Sequence, residues 1–314
     1  MRSIRRTAVI AVVGVLAFTA ALGCGSHRAA ADTPFHVLFD AAHAETAGNA
    51  DWVVSTSQPD PTREDPNPSS EDDWTGGLSA WGVALQKSGR YTVRTNPEGT
   101  ALAYGGGGAL DLSHFDALVL PEPNTSLSPA ERTAVVKFVQ AGGGLFMVSD
   151  HDGSDRDNDG IDSVGVLNQL MSSNGVDDSD PFGLTIEKQN IADENPSNIP
   201  ASAADDPVIK GANGTVTGAI MRNGTTATLA TSDDPGAKGL LYRDGADSSG
   251  ASGVFFATST FGKGRVALWG DSSPIDDGTG ASGDTLHDGW DDPAGTDAAL
   301  ALNATDWLVS SGGA

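Results

Sequence analysis

Acids and imidazoles stand directly behind the apolar runs of this sequence. Asp40 closes the run that starts at Phe35, and His43 follows it. Glu122 and Asn124 lie in the turn Leu120-Pro121-Glu122-Pro123-Asn124, behind the run Asp116 to Leu120. Ser149-Asp150-His151-Asp152 follows Leu145 to Val148, and Gly270-Asp271-Ser272-Ser273 follows Gly264 to Trp269. Asp and Glu supply only 42 of 314 residues, so an acid at or beside the end of all four runs exceeds what composition provides. Asp also caps helices and stabilises turns, which accounts for any one of these positions taken alone. Four together, two of them with a His, point to a shared functional rim. Carboxylates on one rim raise one another's pKa unless a cation sits among them. With 18 Lys and Arg against 42 acids, a divalent metal is the natural counter-ion.

Asp40, His43, Asp150 and His151 are therefore expected to form a metal shell, with Asp271 as a further ligand. Imidazole and carboxylate together suit zinc, manganese or iron better than calcium. Glu122 is placed as the general base that polarises a metal-bound water, with His151 as a second catalytic group. Asn124 and Arg156 orient substrate, and Ser272 and Ser273 donate hydrogen bonds to it. A second metal feature lies in Asp155-Arg156-Asp157-Asn158-Asp159-Gly160, where Asp155, Asp157 and Asp159 alternate before a glycine as in calcium loops. The twelfth position is Val166 rather than Glu, which excludes a complete EF-hand and leaves a partial calcium loop or a solvated acidic turn. The expected cofactor is thus a divalent ion, calcium or one of zinc, manganese and magnesium.

Other chemistries fall away. His27, His36 and His114 read as tether or structural residues, and His287 is a candidate whose loop cannot be placed. No Gly-x-Ser-x-Gly elbow follows a strand, so serine hydrolysis is a minor alternative. Cys24, the one cysteine, lies at the end of the N-terminal apolar run, which excludes a disulfide framework, a Cys-rich zinc module and a cysteine mechanism. The net charge of −24 repels phosphate backbones, so nucleic acid is a partner only through bridging metal.

The elements that must position these residues alternate. Apolar strands at Phe35 to Phe39, Tyr91 to Arg94, Asp116 to Leu120 and Leu145 to Val148 are separated by helical patterns. One helix carries Leu78, Trp81 and Leu85; the next starts at Ser128-Pro129 with Glu131 as a capping box; a third covers Val164 to Met171. Buried runs alternating with helices predict an α/β protein with a mostly parallel sheet covered on both faces. Residues 174–250 are rich in Gly, Asp and Asn, with short strands near Leu184 to Ile186, Ala227 to Ala230 and Gly239 to Tyr242. Strands at Val254 to Ala257 and Gly264 to Trp269 and a helix at Asp297 to Val309 complete an elaborated second half. The Pro- and Asp-rich stretch from 57 to 73 is an acidic loop with the look of a lid. Ligands of such sheets bind beyond the carboxyl ends of the strands, where the acids stand.

Residues 1–31 read as an export signal and tether: Arg2, Arg5 and Arg6 precede an apolar run from Ala8 to Leu22 that is short for a membrane span. Ala21-Leu22-Gly23-Cys24 resembles a lipoprotein processing site, and cleavage after Ala31 is the competing route. The mature chain, one domain over 32–314, is expected to be secreted or lipid-anchored outside the cytoplasm, touching the membrane only through that anchor.

Asp40-x-x-His43, the run from Thr46 to Trp52, the Glu122 turn, Gly142-Gly143-Gly144, Asp150-His151, Asp155-Arg156, Gly270-Asp271-Ser272-Ser273-Pro274 and Asp288-Gly289-Trp290 together resemble uncharacterised exported bacterial proteins of the class I glutamine amidotransferase-like superfamily. That resemblance implies a flavodoxin-like sheet over most of residues 35–310. Catalytic members carry a Cys at the turn where this chain has Asp150-His151, so amidotransferase and cysteine peptidase activity are not implied. What remains is a metal-dependent hydrolase acting on a small-molecule, glycan or phosphoester substrate, or a non-catalytic cell-envelope module ordered by calcium.

Overall fold

The computed structural model describes residues 33–46, 51–232, 234–280 and 287–310. The signal, Cys24 and most of the stretch from Thr46 to Asp51 lie outside the described residues. Eleven strands and four helices follow in chain order: β1 (Phe35–Asp40), α1 (Ser79–Lys87), β2 (Tyr91–Asn96), β3 (Ala117–Pro121), α2 (Pro129–Ala141), β4 (Gly144–Val148), α3 (Ser163–Ser172), β5 (Leu184–Ile186), β6 (Lys210–Gly211), β7 (Gly214–Thr215), β8 (Ala227–Leu229), β9 (Lys238–Tyr242), β10 (Val254–Phe261), β11 (Gly264–Trp269) and α4 (Asp297–Val309). Among the described residues, no helix is long and apolar enough to cross a membrane.

Nine strands form one sheet in the order β2-β1-β3-β4-β11-β10-β8-β5, with β9 also paired to β10. Strands β2, β1, β3, β4 and β11 run parallel. Their order is that of flavodoxin, 2-1-3-4-5, with β11 as the fifth strand. The mostly parallel α/β fold expected from the alternating runs is therefore the fold observed. The elaborated second half supplies an antiparallel wing, in which β10 pairs with β11, β9 and β8, and β8 with β5.

Alternation along each strand divides the core in two. Val37, Phe39, Val119, Phe146 and Val148 face α1 and α4 in one buried cluster. Leu38, Leu118, Leu120, Leu145 and Met147 face α2 and α3 in the other. Edge-on aromatic contacts run across the first face: Phe39 to Trp81 at 5.2 Å, Trp81 to Phe146 at 5.0 Å and Phe146 to Phe256 at 5.9 Å.

Local signals explain where the helices begin. Ser128 and Glu131 make the reciprocal capping box of α2, and Asp162 caps α3 by accepting from the Gly165 N–H at 2.8 Å. At the end of β11 the chain passes so close to Thr225 that a Cβ on Gly270 would fall 2.2 Å from its carbonyl oxygen. That close passage delivers Asp271 and Ser272 to the rim.

The stretch from 57 to 73 differs from a lid. It contains two short 3-10 turns, Pro61–Arg63 and Glu71–Asp73. Arg94 of β2 pairs with Asp60, the Thr95 N–H donates to the Pro59 carbonyl at 3.1 Å, and Trp74 Nε1 donates to the Asp65 carbonyl at 3.0 Å. These bonds lace the segment to β2.

Candidate functional site

The loops leaving β1 and β3 are zipped together at the point where strand order reverses. The Glu45 N–H donates to the Glu122 carbonyl at 3.0 Å, and the Asn124 N–H donates to the His43 carbonyl at 2.8 Å. Ala44 and Pro123 form an isolated antiparallel bridge between them. This is the crevice in which flavodoxin-ordered sheets bind ligands.

Glu122 adopts φ 42°, a left-handed conformation that a Glu rarely takes and that costs about 1–3 kcal/mol. The zip holds it there, immediately beyond β3 and buried. Ser154 Oγ donates to Glu122 Oε1 at 2.9 Å and approaches Glu45 Oε2 at 3.5 Å. Asn124 Nδ2 donates to Glu45 Oε2 at 3.0 Å, and Arg156 Nε lies 2.7 Å from Glu45 Oε1. Burial first, then the charge and hydrogen bond of Glu122, push the Glu45 pKa up to about 9 despite Arg156. Glu45 thus keeps its proton at neutral pH beside Glu122.

Two further acids close the group. Asp150, beyond β4, is raised well above the carboxylate range by burial and by the charges of Glu122 and Asp271. Burial raises Asp271 to about 7, against N–H donation from Arg222 and from Ser273 at 2.8 Å, with Glu122 adding to the rise. Glu122, Asp150 and Asp271, placed at strand ends by the sequence pattern, are therefore brought within electrostatic reach of one another.

A cavity of about 130 Å³ opens beside them. Asp150, His151 and Arg156 line it from the β4 side, and Ser272, Ser273 and Asp276 from the β11 side. Trp52, Arg222, Asn223 and His287 complete it. Hollows of about 570 and 600 Å³ lie elsewhere, one against Phe261 at the far end of β10 and one against Arg90 and Arg265 at the start of β2 and β11. Neither meets the acid group.

The expected metal shell is not assembled. Asp40 Oδ1 accepts from Asn96 Nδ2 at 2.8 Å, and Asp40 Oδ2 lies 2.7 Å from His43 Nδ1. His43 Nε2 lies 3.2 Å from Glu131 Oε1, so the imidazole bridges two buried carboxylates. Burial pulls the His43 pKa down, and Asp40 and Glu131 outweigh it, leaving it above the usual value. Both residues are spent on Asn96 and on the capping acid of α2, which corrects their assignment as ligands beside Asp150, His151 and Asp271. Among the described residues, Asp155, Asp157 and Asp159 are the one group of three or more such residues whose ligand atoms lie within 4.8 Å of one another. His151 instead contacts the Asp152 carbonyl at 2.9 Å and Asn190 at 3.1 Å through Nδ1.

Glu45, Ser154, Trp52, Arg222 and Asp276 were not among the expected site residues. Glu45 was detectable as the next acid after Asp40 behind β1, and Arg222 as one of few cations, beside an Asn-Gly turn. Ser154 and Asp276 carry no signal in the sequence beyond their Asp-rich loops.

Fold and site together define an α/β protein with flavodoxin strand order and a group of buried, mutually repelling carboxylates at its switch point. The family described as "Domain of unknown function (DUF4350)" matches residues 69–285, and the chain belongs to it. That match replaces the membership drawn from the motifs, in the exported group of the class I glutamine amidotransferase-like superfamily. The motifs mark strand ends, and so trace the fold rather than the family. No curated protein matches the chain. Similar solved structures include the mmIFT52 N-terminal domain, at 12% identity and TM-score 0.49, covering 88% of this chain and 99% of that one. A putative ThuA-like protein from Parabacteroides merdae matches at 12% and 0.46, covering 88% and 91%. The cytoplasmic protein STM3548 from Salmonella typhimurium matches at 11% and 0.45, covering 87% and 98%.

Two outcomes follow from these electrostatics. His43→Ala strands Asp40 and Glu131 without their bridge, and urea unfolding is expected to show a loss of about 3 kcal/mol. Burial raises Asp276 to about 7 and Asp297 to about 8, alongside Asp271 and Glu45. A carboxyl raised on folding contributes stability below its unfolded pKa and loses it as pH rises through the folded value. Asp111, held low against burial by Ser113 and the Gly105 and Gly106 N–H groups, acts in the opposite direction on the acid side. Calorimetry should therefore find Tm falling from about pH 5 to about pH 9, with a shallower fall in Asp297→Asn.

Proposed function

We propose that the rim is a hydrolytic site working by general acid–base catalysis on a small polar substrate, with Glu122 as the base. The observation that carries this is Glu122 itself: a buried carboxylate held in left-handed backbone at a switch point, bonded to Ser154 and set against Glu45. Strain of that kind persists where surrounding structure enforces it, and it clusters at active sites. Glu122 takes a proton from water as the water oxygen attacks the electrophilic centre. Asp150, whose pKa is raised by burial and by the charges of Glu122 and Asp271, gives its proton to the departing oxygen or nitrogen as that bond breaks. Arg156 holds Glu45, and Ser272 and Ser273 offer hydroxyl donors to the substrate across the cavity. Proton transfer runs through carboxylates here, because Asp40 and His43 are engaged elsewhere. The setting we propose is outside the cytoplasm, after export through residues 1–31.

Release of 4-nitrophenol from a panel of glycosides, esters and phosphates tests the chemistry. Glu122→Gln is expected to lower kcat on the responsive member by roughly 10²–10⁴-fold with the far-UV spectrum retained. A Gln variant as active as the wild type removes Glu122 from the reaction.

The loop at Asp155, Asp157 and Asp159 supports a second reading, an ordering site for calcium. Asp157 is raised by desolvation and by the neighbouring Asp155 and Asp159, as expected of acids crowded where a cation would relieve them. Millimolar calcium should raise Tm, EGTA should reverse the rise, and Asp157→Asn should abolish it. Magnesium acting equally well would point to general screening.

A further inference from the structure

Basic side chains are scarce in this chain: 18 Lys and Arg and 6 His among 314 residues. The small rim cavity nevertheless takes four of its lining residues from that set, Arg156, Arg222, His151 and His287. Arg222 is held in place by its Nη1, which donates to the Glu194 carbonyl at 2.9 Å, Asn195 Oδ1 at 2.9 Å and the Met221 carbonyl at 2.8 Å. Its Nη2 edge, 3.4 Å from Asp292 Oδ2, is left with that one long contact among the described residues. Serine hydroxyls and Asn223 add further donors around the same space. Such a concentration of donors in a protein of net charge −24 calls for an anion.

We infer that the cavity binds the carboxylate of a small organic acid, of monosaccharide size or less, through Arg222, Arg156 and the two histidines. The charge of the ligand follows from what already surrounds the cations. Arg156 is paired with Glu45 and Arg222 with Asp292, and Glu122 and Asp271 stand behind the cavity. The surplus positive charge is small, so a singly charged carboxylate is accommodated and a phosphate dianion is repelled. The ligand extends beyond its carboxylate for two reasons. A space of about 130 Å³ is several times the volume of one water, about 30 Å³. Trp52 also lines it and offers an apolar wall. A ring on the ligand would pack on the indole that lines the space. The acids facing the cavity, Asp150 and Asp276, are both raised by burial, which lessens their repulsion of an anion on the acid side of neutrality.

This deepens the hydrolytic reading by naming the substrate class and rests on the same site, but binding can be measured without turnover. Calorimetric titration of the full chain near pH 6 with glucuronate, glucose and inorganic phosphate tests it. Glucuronate is expected to bind, and glucose and phosphate to bind at least about tenfold more weakly. Arg222→Gln should weaken glucuronate by about tenfold or more, and the half-exposed His287→Gln, whose folding is not at risk, should weaken it measurably. Glucose or phosphate binding as well as glucuronate overturns the inference, as does the absence of binding by glucuronate, lactate and acetate alike. Glucuronate bound by both wild type and Glu122→Gln, with no chromogenic substrate turned over, would overturn the hydrolytic reading alone. Turnover with no preference for carboxylates would overturn the carboxylate site alone.

Discussion

Glu45, Glu122, Asp150 and Asp271 reach one low-dielectric end of the sheet from four segments of the chain, and acids so placed cannot all be ionised. Burial is the leading cause of the raised pKa at Glu45, Asp150 and Asp271, with the charge of Glu122 adding to each. The structure answers by retaining protons, by setting Arg156 on Glu45, and by giving Asp271 the backbone N–H of Arg222. Ser154 and Asn124 then fix which oxygen faces which. The chemistry proposed for the rim is a consequence of this arrangement. A donor and an acceptor of protons coexist near neutral pH because the acids push one another apart.

The neighbouring network works the other way. His43 lies between Asp40 and Glu131; Asn96 takes the other oxygen of Asp40, while the Leu102 N–H joins His43 on Glu131 Oε1 and the Ser128 N–H takes Oε2. That network ties the end of β1 to the first turn of α2 and so supports the zip that holds Glu122. One set of buried acids is neutralised and structural, while the set beside it is frustrated and faces a cavity.

Much of the fold was readable because buried parallel strands are continuous apolar runs and the helices between them carry caps. Phe35 to Asp40, Leu145 to Val148 and the Ser128-Glu131 box all emerge as expected. Partnering was not readable. Nothing in Val254 to Phe261 says that it runs antiparallel to β11, and the two-residue strands β6 and β7 are too short to leave a pattern. At the site, position behind a strand points to Glu122, Asp150 and Asp271, and in the folded chain their charges act on one another. The same rule misplaced Asp40 and His43, because three-residue spacing lets them satisfy each other and Glu131 has a second use that its capping role conceals. Arg222 and Trp52 come from loops, where only the folded chain shows what they face.

The seat of β11 bears on how the molecule is made. It lies between β4 and β10 in space, yet it is the last strand among the described residues. Until residues 264–269 emerge, β4 presents an unpaired, wholly apolar edge, and closing the gap requires a loop of more than a hundred residues. Asp271 rides on that same strand. Completion of the hydrophobic core and completion of the rim are therefore one event late in folding, and a chain truncated before Gly264 loses both together.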